Sequence, residues 1–406
     1  MFHIQENGDI RMLRLSQIAQ LLNGYAFKSK NYADNGIRVI RIANVQDGYI
    51  VDDAPCFYPI DTDEDIEKYS LFAEDLLISL TGNVGRVGIL PADMLPAALN
   101  QRVCCLRIDE TIVDRKYLFY FLRQHQFMRD CVKASKGVAQ LNLSTKWLAD
   151  YEIPTPKIEE QKRIVARIEE LFSELDNGVE TLRKTKRQLA VYRQAVLKEA
   201  FDRVIPDSRM QTIKVVCNDI KVGIVIKPAQ YYTDESNGIK AFRSANVREF
   251  RINDADWVYL TKEGHECNLR SEIHTGDVLI VRSGYPGTAC VVTNDYNNCN
   301  AIDILIAVPN TDIVTPEYLC AFTNSPYGRK LVAEKKRGVA QAHLNVGGYS
   351  KMEIPVLEIS VQKQVVQSIE QRLSVYDSIS KTIDTALQQA EAMRQSILKQ
   401  AFEGRL

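Results

Sequence analysis

IPTPKIEEQKRIVARIEELF runs from Ile153, and IPVLEISVQKQVVQSIEQRL runs from Ile354, 201 residues later. The register holds without a gap to Ala200-Phe201 and Ala401-Phe402. Gln161-Lys162 matches Gln362-Lys363, Ile168-Glu169 matches Ile369-Glu370, and Arg193-Gln194 matches Arg394-Gln395. Loops drift in length between copies, so an ungapped repeat of about fifty residues points to one long regular element.

That element reads as helix. Pro154 and Pro156 punctuate its entrance and Pro355 that of the second copy, and no proline interrupts the first copy before Pro206; proline suits a helix entrance and not its interior. Apolar residues recur every seven positions: Ile168, Leu175, Leu182, Leu189 and Val196, with Leu171 and Tyr192 between them. The second copy gives Ile369, Tyr376, Ile383, Ala390 and Ile397, with Ile379, Ala386 and Met393 between. Such a seam needs a partner helix. The order globule, helix, globule, helix predicts that the second helix runs back antiparallel along the first. The expected divisions are 1–152, first globule; 153–205, first long helix; 206–353, second globule; and 354–406, second long helix. The fold class expected is α+β, two repeated α/β domains separated by two long helices that form an antiparallel coiled coil.

Composition is that of an ordinary globular protein, 45% hydrophobic and 25% charged over 406 residues. No apolar run reaches the length of a membrane span, and the first residues show no secretory signal. The nine cysteines form no CxxC pair, and they read as reduced core thiols of a cytoplasmic protein. The histidines show no metal spacing. A net charge of −1 supplies no whole-chain attraction to nucleic acid. The run Arg183-Lys184, Lys186-Arg187 reads first as a solvated helix face.

The globules repeat as well. GIKAFRSANV from Gly238 matches GIRVIRIANV from Gly36; GDVLIVRSGYPG from Gly276 matches EDLLISLTGNVG from Glu74; and RGVAQAHLNVGGYSKMEIP from Arg337 matches KGVAQLNLSTKWLADYEIP from Lys136. Strands are expected at 37–45, 76–80, 87–90 and 103–108, and a helix at about 115–135. Between these anchors the halves diverge widely. One scaffold used twice with different decoration looks like a two-part reader, since two copies of an enzyme would repeat their polar catalytic set.

Domain, long helix, domain, long helix resembles the specificity subunit of Type I restriction–modification systems. So do the helix entrance IPTPKIEEQKRIVARIEE with Glu160-Gln161, the GVAQ segment before each helix, and the terminal AFEGRL. The second copy departs from the pattern, with Val361-Gln362 for Glu-Gln and Leu357 for the second proline. The resemblance implies that each globule is a target recognition domain for one half of a bipartite sequence in double-stranded DNA. It implies a helical bar that sets the spacing and docks two methyltransferase subunits, with restriction subunits as further partners and no membrane association. No catalytic residue or cofactor is then expected in this chain; S-adenosylmethionine, ATP and Mg would belong to the partners.

The sequence agrees in what it lacks: no P-loop, no GxSxG elbow, no adenine-methyltransferase tetrapeptide. The cluster Gly82, Gly85, Gly88 lacks dinucleotide-binding spacing and reads as a hairpin turn. DNA contacts are expected from side chains able to grip phosphates or purine edges, in turns present in both halves. In the first half these are Arg41, Asn44, Asn83, Arg86, Gln101, Arg102, Lys136 and Gln140. In the second they are Arg243, Asn246, Arg282, Tyr285, Thr288, Arg337, Gln341 and His343. Gln140 and Gln341 read more readily as braces, because a base reader should differ between halves. By that reasoning Arg86 against Thr288, and Asn83 against Tyr285, are the sequence discriminators. A helix of roughly 60 Å predicts recognition centres roughly 35–50 Å apart, or roughly 10–15 base pairs. Two other readings compete: an enzyme with degenerate motifs, and an adaptor whose coiled coil clamps two protein partners.

Overall fold

The computed structural model describes residues 10–62, 64–137, 140–335 and 343–406. The chain forms two compact units, Met1–Leu182 with Thr385–Leu406, and Arg183–Asp384. Each unit holds one globule, half of the first long helix and half of the second. The divisions therefore fall inside the helices, not at their ends as the element-by-element reading placed them.

The long helices run Ile158–Asp202 and Ile359–Phe402, 45 and 44 residues. Both start later than Ile153 and Ile354. Glu152–Thr155 is instead a strand antiparallel to Arg11–Arg14, and Glu353–Val356 pairs in the same way with Arg209–Thr212. Proline explains the delay. Pro154 and Pro156 hold the residues before them in extended conformation, and a two-stranded ribbon tolerates a residue with no N–H to give. The first helix ends at Asp202, short of 205, and a 3₁₀ turn follows at Ile205–Asp207.

The helices are antiparallel within each unit. In the first, Ile168 and Phe172 from the start of one share a core with Ile397, Leu398 and Phe402 from the end of the other. In the second, Val196, Leu197 and Phe201 share a core with Ile369 and Leu373. Arg394 pairs with Asp176 in the first unit and Arg193 approaches Asp377 in the second. The every-seventh positions are buried or half-buried, whereas Tyr192, Ile379 and Met393 are exposed. The buried stripe is thus narrower than predicted, since one partner helix covers only part of each apolar face. The basic run at 183–187 is solvent-exposed, with Lys186 paired to Asp384.

A buried glutamine ties each globule to its helix. Gln161 is wholly buried. Its Oε1 accepts from the Asp114 N–H (2.7 Å), and its Nε2 donates to the carbonyls of Ile112 (3.1 Å) and Pro156 (2.8 Å). Gln362, also wholly buried, accepts from the Thr315 N–H (2.9 Å) and donates to the carbonyls of Ile313 and Leu357 (both 2.8 Å). Next to each clamp a tyrosine repeats. Tyr117 Oη donates to the Pro154 carbonyl and Tyr318 Oη to that of Pro355. Their rings meet Phe402 at 5.1 Å and Phe201 at 5.4 Å.

The globules are built on matching sheets. One, in the first unit, has the order Ala19–Asn23, Val103–Ile108, Leu76–Ser79, Val87–Ile89, all antiparallel. Its counterpart is Cys217–Val222, Ile304–Pro309, Val278–Val281, Ala289–Val291. A mixed sheet packs with each, of four strands in the first unit and five in the second, built on the parallel pairs Ile37–Ile40 with Ala97–Leu99 and Ile239–Phe242 with Cys299–Ala301. The strand expected at 37–45 stops at Ile40, where a 3₁₀ turn begins at Ile42. The helix expected at 115–135 is two, Arg115–Leu122 and His125–Ala134.

Replacing Gln161 by alanine strands a buried N–H and two carbonyls, at about 1–3 kcal/mol per unsatisfied group. Gln161→Ala and Gln362→Ala are each expected to lower the urea midpoint markedly, while the adjacent Lys162→Ala stays within about 0.5 kcal/mol of the parent. Equal midpoints for Q161A and K162A would remove the clamp from the account.

Candidate nucleic-acid interface

The glycine cluster of the first globule is the hairpin turn it reads as, joining Leu76–Ser79 to Val87–Ile89. Its counterpart joins Val278–Val281 to Ala289–Val291. Four glycines with positive φ shape the pair: Gly82 (70°) and Gly85 (80°), Gly284 (79°) and Gly287 (86°). The inner glycines are also close-packed. A Cβ on Gly85 would meet Cys131 Sγ at 2.9 Å, and one on Gly287 would meet Val332 at 2.9 Å. The outer glycines have room: nothing lies within 4 Å of a Cβ on Gly284. Each turn is thus anchored on its inner side and free at its tip.

Two further segments gather at the tip in the first unit. Lys136 and Asn142 form a backbone bridge, exchanging hydrogen bonds. It is laid against the turn by Gly82 N–H to the Leu141 carbonyl (2.8 Å) and Thr81 Oγ1 to Asn142 Oδ1 (3.1 Å). The Arg102 carbonyl accepts from the Leu80 N–H (2.9 Å). Asn83, Gln101, Arg102, Lys136 and Gln140 are all exposed around this turn. Arg102 and Lys136 have no ion-pair partner among the described residues, so the rim offers free positive charge and amide groups. The side chain of Gln140 faces solvent; it is the Gln140 carbonyl that braces, accepting from Asn142 Nδ2 (3.1 Å).

The second unit has the same frame with other side chains. Arg282 occupies the place of Leu80, but its charge is spent within the fold: Nη1 donates to Asp303 Oδ1 (2.6 Å) and Nε to the Leu344 carbonyl (3.2 Å). Ser283 Oγ and His343 Nδ1 are 2.6 Å apart. Tyr285 stands 84% exposed at the tip. Arg337 and Gln341 lie outside the described residues.

Five predicted readers are scaffold. Asn44 is 5% exposed and Asn246 fully buried. Each accepts a backbone N–H, from Arg41 (2.9 Å) and Arg243 (3.0 Å), and donates to carbonyls of the following loop. Arg41 and Arg243 reach inward to the carbonyls of Ala54 (2.8 Å) and Asp256 (2.6 Å). Identity between halves was the sign that these groups hold a turn. Thr288, singled out as a discriminator, is buried at 9% exposure; its hydroxyl donates to the Tyr285 carbonyl and accepts from Arg329. Its counterpart Arg86 is half-buried and donates to Gln46 Oε1 (2.8 Å).

Asp303 and Gln46 escaped the sequence reading, which looked for groups that meet DNA and not for groups that hold such residues within the fold. Asp303 carried one signal, a lone carboxylate inside the apolar run Ile302–Ile306. It takes the place of Gln101, each donating its N–H back to the start of the globule, at the carbonyls of Ile224 and Tyr25. Asn300 is a buried strand residue bonded to His265 and Ser271. Among the described residues, no group of three or more His, Cys, Asp or Glu side chains could hold a metal ion, and no helix is long and apolar enough to cross a membrane.

Residues 7–184 match the family described as the Type I restriction modification DNA specificity domain. Over 97% of its length the chain is 26% identical to the EcoBI specificity subunit of Escherichia coli, spanning 85% of that relative. It is 24% identical to the EcoKI specificity subunit of Escherichia coli strain K12, across 97% of this chain and 88% of that one. Along nearly its whole length the chain is similar to Type I restriction enzyme specificity subunits. The fold agrees: 98% of the chain superposes, at TM-score 0.73 and 18% identity, on the whole of a chain from a structure of complex assembly in the type I R-M system. The HsdS subunit from Thermoanaerobacter tengcongensis matches at TM-score 0.51 and 18% identity, over 98% of this chain and 97% of that one.

The glycine turns provide a test of the interface frame. A left-handed backbone costs an alanine about 1–2 kcal/mol, so Gly284→Ala should destabilise the chain by that much. Gly287→Ala must also displace Val332, adding the cost of overpacking, about 1–3 kcal/mol. Urea denaturation should rank G287A clearly below G284A; the reverse order would mean that the turn is not anchored at Gly287.

Proposed function

We propose that this chain is the DNA-reading subunit of a Type I restriction–modification complex, each unit reading one half of a bipartite target in double-stranded DNA. The observation that carries the reading is the pair of glycine turns, equivalent in backbone and different in what they present. One rim offers Asn83, Gln101, Arg102, Lys136 and Gln140; the other offers Tyr285, His343 and a neutralised Arg282. Free Arg and Lys suit phosphates and guanine edges, and amides suit adenine edges. An exposed tyrosine supplies apolar contact and a hydroxyl. Two readers with different surfaces on one scaffold would read two different half-sites.

The paired helices would set the number of base pairs between the half-sites and dock two methyltransferase subunits, with restriction subunits joining that core. The chain would carry no catalysis. S-adenosylmethionine, ATP and Mg would be held by the partners, where adenine methylation and ATP-driven cleavage would occur.

The test is to co-express the chain with its cognate methyltransferase, map methylated adenines across the host genome, and measure DNA binding by the purified complex. A bipartite motif with a fixed gap is expected, and exchange of residues 1–152 for those of another family member should alter only one half of it. Arg102→Ala and Lys136→Ala should each weaken binding and reduce the salt slope by about 1. Tyr285→Ala should change preference at one half-site and leave the other intact. A continuous short motif, or methylation unchanged without this chain, would overturn the reading in favour of a protein adaptor.

A further inference from the structure

The two units turn one short segment in opposite ways. Gly24-Tyr25-Ala26-Phe27-Lys28 matches Gly223-Ile224-Val225-Ile226-Lys227 without a gap. Both segments leave the rim by the same hydrogen bonds. Tyr25 donates its N–H to the Leu99 carbonyl (2.8 Å) and accepts from the Gln101 N–H (2.9 Å); Ile224 does the same with Ala301 (2.8 Å) and Asp303 (3.0 Å). Two residues later they part. Phe27 is buried, its ring edge-on to Tyr25 at 5.1 Å and to Tyr58 at 4.9 Å. Ile226, in its place, is 80% exposed, and Val225 before it is 52% exposed.

The backbone parts at the same point. In each unit the following lysine opens a 3₁₀ turn, Ser29–Asn31 or Pro228–Tyr231. Lys28 is extended, with φ −82° and ψ 116°, whereas Lys227 is left-handed, with φ 43° and ψ 50°. Left-handed backbone is unfavourable for a residue with a Cβ, and a residue before proline prefers extended backbone; Lys227 defies both preferences. Neither the exposed isoleucine nor the strained lysine stabilises the fold, and such outliers gather where a ligand is held.

The segment is continuous with the candidate interface. Asp303, bonded to Ile224, also accepts from Arg282 Nη1 at 2.6 Å, at the root of the turn that carries Tyr285. Ile304, in the place of Arg102, is buried. Where the first unit's edge shows Gln101 and Arg102, the second shows Val225 and Ile226 beside an arginine already paired with a carboxylate. Tyr285 adds a third largely apolar side chain to the same edge.

We propose that Val225 and Ile226 read thymine, packing on its 5-methyl group in the half-site of the second unit. Thymine alone among the four bases carries an apolar group on its major-groove edge. An aliphatic side chain has no donor or acceptor, so that methyl is what it can tell apart. Lys227, exposed and next in the chain, suits a neighbouring phosphate. The proposal rests on the DNA-reading function proposed above and adds the base that is read.

The test uses the full chain in complex with its cognate methyltransferase, bound to a duplex that carries the mapped bipartite target. The second unit's half-site is the one that exchange of residues 1–152 leaves unchanged. Each thymine of both half-sites, on either strand, is replaced in turn by deoxyuridine, which removes the methyl and keeps the base pair. At one or more thymines of the second unit's half-site Kd is expected to rise about three- to fivefold. Val225→Ala with Ile226→Ala should bind thymine and deoxyuridine duplexes equally at those positions and keep any discrimination in the other half-site. Both side chains are exposed, so the urea midpoint of this variant should match the parent's. A half-site without thymine, indifference to deoxyuridine throughout it, or discrimination undiminished in V225A/I226A would each overturn the proposal and leave the reading function standing. Absence of any bipartite motif would remove the function and the proposal with it.

Discussion

A side-chain amide sealed from water at the first turn of each long helix is the constraint on which the rest depends. Left unpaired, such a group costs about 1–3 kcal/mol; paired on both sides, it acts as a geometric lock. Gln161 binds the loop Ile112–Asp114 and the Pro156 carbonyl at once, so the helix can begin only where the globule's last loop permits. Gln362 repeats this with Ile313, Thr315 and Leu357. Globule, extended prolyl entrance and helix are thereby held as one body in each unit. Whatever side chains the globule displays, they are displayed at a set angle to its helix.

That rigidity accounts for how the two halves could diverge. Residues that hold the frame are the same in both: the glutamines, Tyr117 and Tyr318, Asn44 and Asn246, the four turn glycines. Residues free of that duty differ, and they sit at the glycine-turn rim or along the helix faces. Aromatic side chains give the clearest case on the inside. Phe119, Tyr120 and Phe172 pack together in one unit where the smaller Cys320, Ala321 and Leu373 lie buried in the other. Duplication has preserved the supports and released the surfaces.

The repeat made the architecture legible in the sequence, because an ungapped fifty-residue match and a seven-residue apolar period can come from little but paired helices. The same repeat misplaced the helix starts. Identity at Ile153-Pro154 and Ile354-Pro355 reads as a helix entrance, but it records a strand in which proline favours extended backbone. For the candidate site, the sequence offered polar residues in turns but could not tell that Asn246 and Thr288 face inward, since asparagine and threonine are equally at home in a buried turn and on a rim. Nor could it foresee that Asp303 neutralises Arg282, a pairing across twenty-one residues that only the folding of two strands creates.

The shared cores also bear on the order in which the molecule can be made. Tyr117, Phe121 and Leu118 of the first globule close their core against Phe402, which leaves the ribosome last among them. Translation passes through the whole second unit, residues 183–384, in the interval. At about 10 residues per second that is roughly 20 s during which the first globule's aromatic face has no cover of its own. The second unit suffers no such delay, because its halves of both helices flank it directly in the chain. A newborn chain therefore completes its second unit first and its first unit last, and the interval between them is when it is most in need of a chaperone.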